Sequence, residues 1–310
     1  MKKLFGLALL ALAFLAPDLA QAAARFAVCS TTCTWDNTST AMWSTTSGGA
    51  TGASAPTSAD SVTLDANTCV GGTTCTITTF SGTISVIGIS MGACTASTSG
   101  CILDASVNNT NFTISGAGSA ALNNNGAGTR TLNMGSGTWT LSSSGATWNV
   151  NSSATLNAGT STIAFTGSGG AGTNRTFTGG GKTYSTVTVA SATGGVFSVG
   201  DGSNTIGTLT ISAPNKVIFP QGLTNTITTF TNVTGTSSQQ VAFTSGNQPF
   251  GTTTISSANN WTCTWCVINL FAFTGGGTFT ATNSFDAGGG NTGITITPPS
   301  AGGGGRIIGG

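Results

Sequence analysis

Thr186-Val187-Thr188-Val189 decides the fold class: apolar and hydroxyl-bearing side chains alternate, and all four are β-branched. A period of two puts one set on each face of a strand, and β-branched side chains suit a pleated backbone better than a helix. The same pattern recurs in both directions along the chain. Ser61-Val62-Thr63-Leu64-Asp65, Thr74-Cys75-Thr76-Ile77, Thr83-Ile84-Ser85-Val86 and Phe112-Thr113-Ile114 all carry it, bounded by Gly, Ser or Asn. Helical periodicity is absent.

The alternating runs also repeat. Gly-Thr-x-Thr followed by Leu or Ile returns at Gly137 to Leu141, Gly207 to Ile211 and Gly251 to Ile255, with a looser copy from Gly277 to Ala281. Gly128-Thr129-Arg130-Thr131-Leu132 echoes Gly172-Thr173-Asn174-Arg175-Thr176-Phe177, and Ile77-Thr78-Thr79-Phe80 echoes Ile227-Thr228-Thr229-Phe230. Irregular spacing of short strand-like copies predicts an all-β, single-stranded parallel β-solenoid (β-helix) with variable loops. At ~20–25 residues per coil, residues 61–297 give on the order of ten coils and a rod ~50 Å long. A tandem antiparallel β-sandwich fits regular short strands too. Low charge favours the solenoid, because stacked coils align Thr, Ser and Asn into ladders that bond to one another without salt bridges.

Only 5% of the 310 residues are charged, the formal net charge is +1, and His and Glu are both absent. Soluble proteins average about 25% charged residues. This balance excludes a phosphate-neutralising nucleic-acid surface, and the missing His excludes His-dependent hydrolases and His-ligated metal sites. Lys2 and Lys3, the apolar run Leu4 to Leu15, Pro17 and the small-x-small triplets Ala20-Gln21-Ala22 and Ala22-Ala23-Ala24 predict a signal peptide over 1–24. No later run is long and apolar enough to span a membrane. Residues 25–60, with Trp35 and Trp43, read as an N-terminal cap. Residues 298–310, with Gly302 to Gly305, read as a flexible Gly-rich tail.

Eight cysteines in an exported chain read as disulfides. They fall into four close pairs, Cys29-Cys33, Cys69-Cys75, Cys94-Cys101 and Cys263-Cys266, and pairing within neighbours is the expectation. Pairing between coils, such as Cys75 with Cys94, is the rival. Cys263-Thr264-Trp265-Cys266 has strand-like flanks rather than the helix N-terminus that a redox CxxC uses, so it reads as structural.

Arg25-Phe26, Thr34-Trp35-Asp36-Asn37, Trp43-Ser44 and Pro56-Thr57-Ser58-Ala59-Asp60-Ser61-Val62 open the mature chain. Gly128 to Leu132, Gly179-Gly180-Gly181-Lys182-Thr183-Tyr184 and Asp286-Ala287-Gly288-Gly289-Gly290-Asn291-Thr292-Gly293 follow. In this order the segments resemble a largely uncharacterised group of Thr/Gly/Asn-rich proteins of bacteria and their phages. The resemblance covers most of the mature chain and implies a β-helical surface or phage tail-associated protein. Trp is usual in that group where Ile294 stands here, and the N-terminal cysteines are a local addition. No catalytic residue carries over, and a shared fold does not assign a function.

Chemistry-bearing residues are few. A polysaccharide-degrading β-helix enzyme would need two carboxylates ~5–9.5 Å apart. Asp65 and Asp104 both follow apolar strands and are the best catalytic candidates if they stack on neighbouring coils; otherwise each caps a turn. Asp201, Asp286 and Asn291 are weak oxygen donors for Ca²⁺, without a recognised loop pattern. Trp148, Trp261 and Trp265 are candidates for stacking on sugars, whereas Trp139, in phase with Leu141, is as well explained by the core. No cofactor is implied.

The expectation is therefore a non-enzymatic, exported structural or adhesive protein at the cell surface or outside the cell, presenting an uncharged Thr/Ser/Asn face to glycans or a cell-surface polymer. A homo-oligomer is compatible with such a face. A virion appendage or receptor-binding tail protein on a phage particle is the first alternative, and the polysaccharide-degrading enzyme the second. Flat Thr ladders also suit ice, although the Thr-x-Thr spacing is patchy along the sequence.

Overall fold

The computed structural model describes residues 23–300, apart from 73, 95–99, 168–172, 191–193, 213–215, 232 and 247–250. The expected signal peptide up to residue 22, and the tail from residue 301, lie outside the described residues. Thirty strands form among them. They assemble into sheets of twelve, nine, five and four strands.

Consecutive strands do not pair with each other as hairpins. Ser61–Asp65 lies in the twelve-stranded sheet, Cys75–Thr79 in the five-stranded sheet and Thr83–Val86 in the nine-stranded sheet, before Gly88–Ala93 returns to the first. Each strand then pairs in parallel with its equivalent one coil away, as Val62 does with Ile89 and Ile84 with Phe112. The result is an all-β, solenoid-like stack of repeating strand units. A tandem antiparallel sandwich is not what forms: the antiparallel ladder, Phe26 with Ser44 and Ala27 with Trp43, sits at one end of the stack. The physical reason is that short turns send the chain to the next wall instead of back along the same one. Coil length varies in the nine-stranded sheet from 18 residues, Ile255 to Phe273, to 30, Thr226 to Ser256.

The segment read as a cap contributes to the same ladders. Ala24–Ala27 pairs with Ser61–Asp65, and Thr32–Trp35 pairs with Cys75–Thr79. Trp43–Ser44 then closes the parallel edge. At the far end of that sheet, Asp286 is the ladder partner of the core residue Ile268. A charge on the terminal strand opposes addition of another coil.

The buried apolar side chains of the strands point inward and fill one continuous core. Within it, Trp35, Phe112, Trp139, Trp148 and Tyr184 touch in sequence, with ring centroids 6.0, 4.0, 5.9 and 6.4 Å apart.

Disulfides occupy one corner of three successive coils. Cys29–Cys33, Cys69–Cys75 and Cys94–Cys101 each span the turn from the twelve-stranded to the five-stranded sheet, with Cα atoms 5.9, 5.3 and 6.0 Å apart. Cys75 and Cys101 are ladder partners, so the staples stack. Cys263–Cys266 closes a different corner, between the strands Trp261–Thr264 and Cys266–Asn269. Pairing is within neighbours, and Cys75 does not reach across to Cys94. Such short loops contribute about 2 kcal/mol each in the chain-entropy account. In the next coil the ladder position of Cys101 passes to Arg130, which is fully buried.

The third wall changes sides midway. The five-stranded sheet ends at Thr155–Asn157, and Asn174–Thr178 passes straight to Thr183–Val189 through Gly179-Gly180-Gly181-Lys182. From Val233–Thr234 a four-stranded wall opens after the nine-stranded sheet instead of before it. Gly180 has φ +60°, and a Cβ there would meet the Val150 carbonyl oxygen, so this shortcut requires glycine. Asn204 supports the turn: its Oδ1 accepts from Gly181 N at 3.0 Å, and its backbone N donates to Asn225 Oδ1 at 3.2 Å.

Tyr184 fills the space beneath the shortcut. Its hydroxyl donates to the Gly179 carbonyl at 3.0 Å and accepts from Trp148 Nε1 at 3.4 Å. Burial pushes the phenol pKa well above its ordinary value. Its neutral form therefore contributes stability fully below the unfolded value, about 10, and that contribution is lost as pH rises through the raised folded value. Tyr184 is the only tyrosine. In an alkaline titration its phenolate absorbance is expected to appear together with loss of the native circular dichroism. A phenolate signal near pH 10 in protein with native dichroism would refute this placement.

Candidate binding surface

The carboxylates do not converge. Asp65 pairs with Ala93 in the twelve-stranded sheet, whereas Asp104 pairs with Thr78 and Asn133 in the five-stranded sheet. The expected stacking on neighbouring coils is thus corrected: the similar strands before them belong to different walls. Each carboxylate serves a local turn. Asp65 Oδ1 accepts from Asn67 N at 2.9 Å, and Asp104 Oδ1 accepts from Ser106 N at 2.9 Å and Ser106 Oγ at 2.6 Å.

Asp286 and Asn291 do come together, lining a cleft of about 330 Å³ at the end of the stack with Phe285, Ile294 and Ile296. Their orientation is wrong for a shared cation. Asn291 Nδ2 donates to Asp286 Oδ1 at 2.7 Å, while Asn291 Oδ1 accepts from Phe271 N at 2.9 Å. Gly289 N also donates to Asp286 Oδ1, at 3.1 Å. Asp201 is exposed on a different turn. Among the described residues no three Cys or Asp side chains gather as a metal site.

Two of the three candidate tryptophans are also corrected. Trp148 and Trp261, 0% and 1% exposed, are in the core with Trp139 and cannot offer a ring face to a sugar. Strand phase explains this: each sits between outward polar residues. Trp265 is half-buried at the Cys263–Cys266 corner, with φ 57°.

What the fold does assemble is a hydroxyl array on the outer face of the nine-stranded sheet. Ladder register aligns Thr138, Thr162, Thr186, Thr208 and Thr229 in one column. Two residues along each strand, Thr140, Ala164, Thr188 and Thr210 form a second column, which Thr231 continues through a 3.0 Å hydroxyl contact with Thr210. Five successive coils thus supply ten positions, nine of them Thr. Thr83 with Ser85, and Asn111 with Thr113, extend the columns over two earlier coils. The inward partners beneath are Trp139, Ile163, Val187 and Leu209, all buried.

Three properties set this face apart. None of the nine strands contains a charged residue, whereas the twelve-stranded sheet holds Arg25, Asp65, Arg175, Lys216 and Asp286, and the five-stranded sheet Asp104 and Arg130. No aromatic side chain points outward from the seven strands of the array: Phe112, Trp139, Phe165, Tyr184 and Phe230 are all buried. Apart from Thr210 with Thr231, the hydroxyls of the two columns make no hydrogen bond among the described residues, so the expected ladder of mutual bonds is sparse here. A smaller copy lies on the four-stranded sheet, with Thr262, Thr280 and Thr295 beside Thr264, Thr282 and Thr297.

The sequence carries this array in its Thr-x-Thr repeats. The missed signal is phase, because equivalent threonines are 24, 24, 22 and 21 residues apart from Thr138 to Thr229. Compared with known proteins, the chain matches no family model, no curated protein and no solved structure.

Proposed function

We propose that the chain is an exported adhesive surface protein, wound as a parallel β-helix, that binds an uncharged glycan or cell-surface polymer through its columns of threonines. The observation that carries this reading is the registered, charge-free hydroxyl face of the nine-stranded sheet. A neutral polymer offers many hydroxyls in series, and weak contacts made together give avidity without a deep pocket. Thr is restricted at χ1, so the array loses little side-chain freedom on contact. The proposal assigns no catalytic step, and four disulfides accord with export.

The test is co-sedimentation of the purified protein with cellulose, chitin and peptidoglycan. Thr186→Lys/Thr208→Lys places two charges in the array and is expected to weaken binding at least about tenfold. Thr131→Lys, on the five-stranded wall, is expected to bind as the parent does. Failure to bind any of the three polymers, or equal loss in Thr131→Lys, overturns the glycan reading. Immunogold labelling of intact producing cells tests the location; label confined to released phage particles would replace the surface role with a virion one.

A further inference from the structure

We infer that the same threonine face binds ice, a ligand whose recognition rests on this array but not on the glycan reading. The argument begins with spacing. Two residues along a strand place the Thr columns ~6.6 Å apart, and adjacent coils lie ~4.8 Å apart. The face is therefore a near-rectangular array of threonine side chains, interrupted at Ala164, carried over Thr138, Thr162, Thr186, Thr208 and Thr229 and their neighbours two residues on. Oxygen positions on a prism face of hexagonal ice repeat at closely similar distances in two directions.

Composition points the same way. Charged groups hold their own hydration shells and would break an ordered water layer, and the strands of this sheet have none. An outward aromatic ring would likewise interrupt a regular layer of bound water. This face has no outward ring, because Trp139 and Phe112 are turned into the core. The hydroxyls of Thr138, Thr162, Thr186 and Thr188 have no partner among the described residues, which leaves them for water. Any one such contact is weak and exchangeable. Only a solid with the same two-dimensional repeat engages all of them at once.

The test uses the full purified protein, fluorescently labelled, in a slowly growing ice hemisphere, together with thermal hysteresis of single crystals. The parent protein is expected to be enriched in the ice and to facet the crystals. Thr186→Lys/Thr208→Lys is expected to lower incorporation at least about tenfold, and Thr131→Lys to leave it unchanged. Circular dichroism checks that each variant is folded, and the parent result decides the question if a variant is not. Exclusion of the parent from ice, or equal loss in Thr131→Lys, overturns the inference. Polysaccharide binding without ice binding removes this inference and keeps the glycan reading; ice binding without polysaccharide binding does the reverse.

Discussion

Arg130→Ala is expected to destabilise the protein by about 1–3 kcal/mol, the cost of orphaning the buried Asn124 Oδ1 and losing three part-buried hydrogen bonds, less the relieved burial of a charge. Arg130 Nε donates to Asn124 Oδ1 at 2.8 Å and Nη1 to the Gly128 carbonyl at 3.2 Å. Nη2 reaches into the next coil, to Asn151 Oδ1 at 2.9 Å and Ser153 Oγ at 3.1 Å. No carboxylate pairs with it; among the described residues the only ion pair is Arg25 with Asp60, at 3.8 Å. Burial accordingly pulls the guanidinium pKa below its ordinary value. Arg130 takes the ladder position that Cys101 holds one coil earlier, so a polar staple follows three covalent ones.

Two variants separate the staple from mere volume. Arg130→Met keeps most of the bulk but leaves the acceptors unpaired, and is expected to lose nearly as much stability as Arg130→Ala. Asn124→Cys/Arg130→Cys has the same separation of six residues as Cys69–Cys75 and is expected to recover part of the loss when oxidised. Urea unfolding measures all three. Arg130→Met with parental stability would show that the hydrogen bonds contribute nothing net.

How much of this was legible depended on whether a feature was local. Strands such as Thr186 to Val189 were readable because alternation needs no partner. The disulfides were readable because each pair is close in sequence and spans a single corner. The Asp65 and Asp104 placement was not readable. Both follow similar strands, but deciding which wall a strand joins requires counting corners, and the strand ending at Asp104 lies one corner further round its coil than the strand ending at Asp65. The threonine array failed to stand out for the same reason: its columns exist only after loops of unequal length have been folded away. The burial of Arg130 and Arg175 was not readable, since a buried arginine leaves no mark on strand periodicity beyond its apolar phase. Trp139 was the exception among large side chains, since its phase with Leu141 made the core at least as good an explanation as a sugar-stacking role.

Trp139→Ala is expected to cost about 3–5 kcal/mol, the range for truncating a large buried aromatic side chain. Its ring stacks on Phe112 at 4.0 Å and meets Trp148 edge-on at 5.9 Å, so it joins coils along the stack and opposite walls across it. In a stack where each coil touches only its neighbours, stability is a sum of local terms, and damage should spread one coil at a time. Hydrogen exchange is therefore expected to rise first in Asn111–Ile114 and Thr162–Phe165, while Val241–Ser245 keeps its protection. A uniform rise across all coils would mean that the stack unfolds as one cooperative unit. The proposed ice binding depends on the same geometry, because Thr138 and Thr140 flank Trp139 on the array strand. A cavity beneath them lets that strand shift, and a lattice-matched face tolerates little displacement. Ice incorporation in Trp139→Ala should consequently fall at temperatures where circular dichroism still reports a folded protein, whereas Trp261→Ala, distant in the stack, should lose stability without that loss of binding.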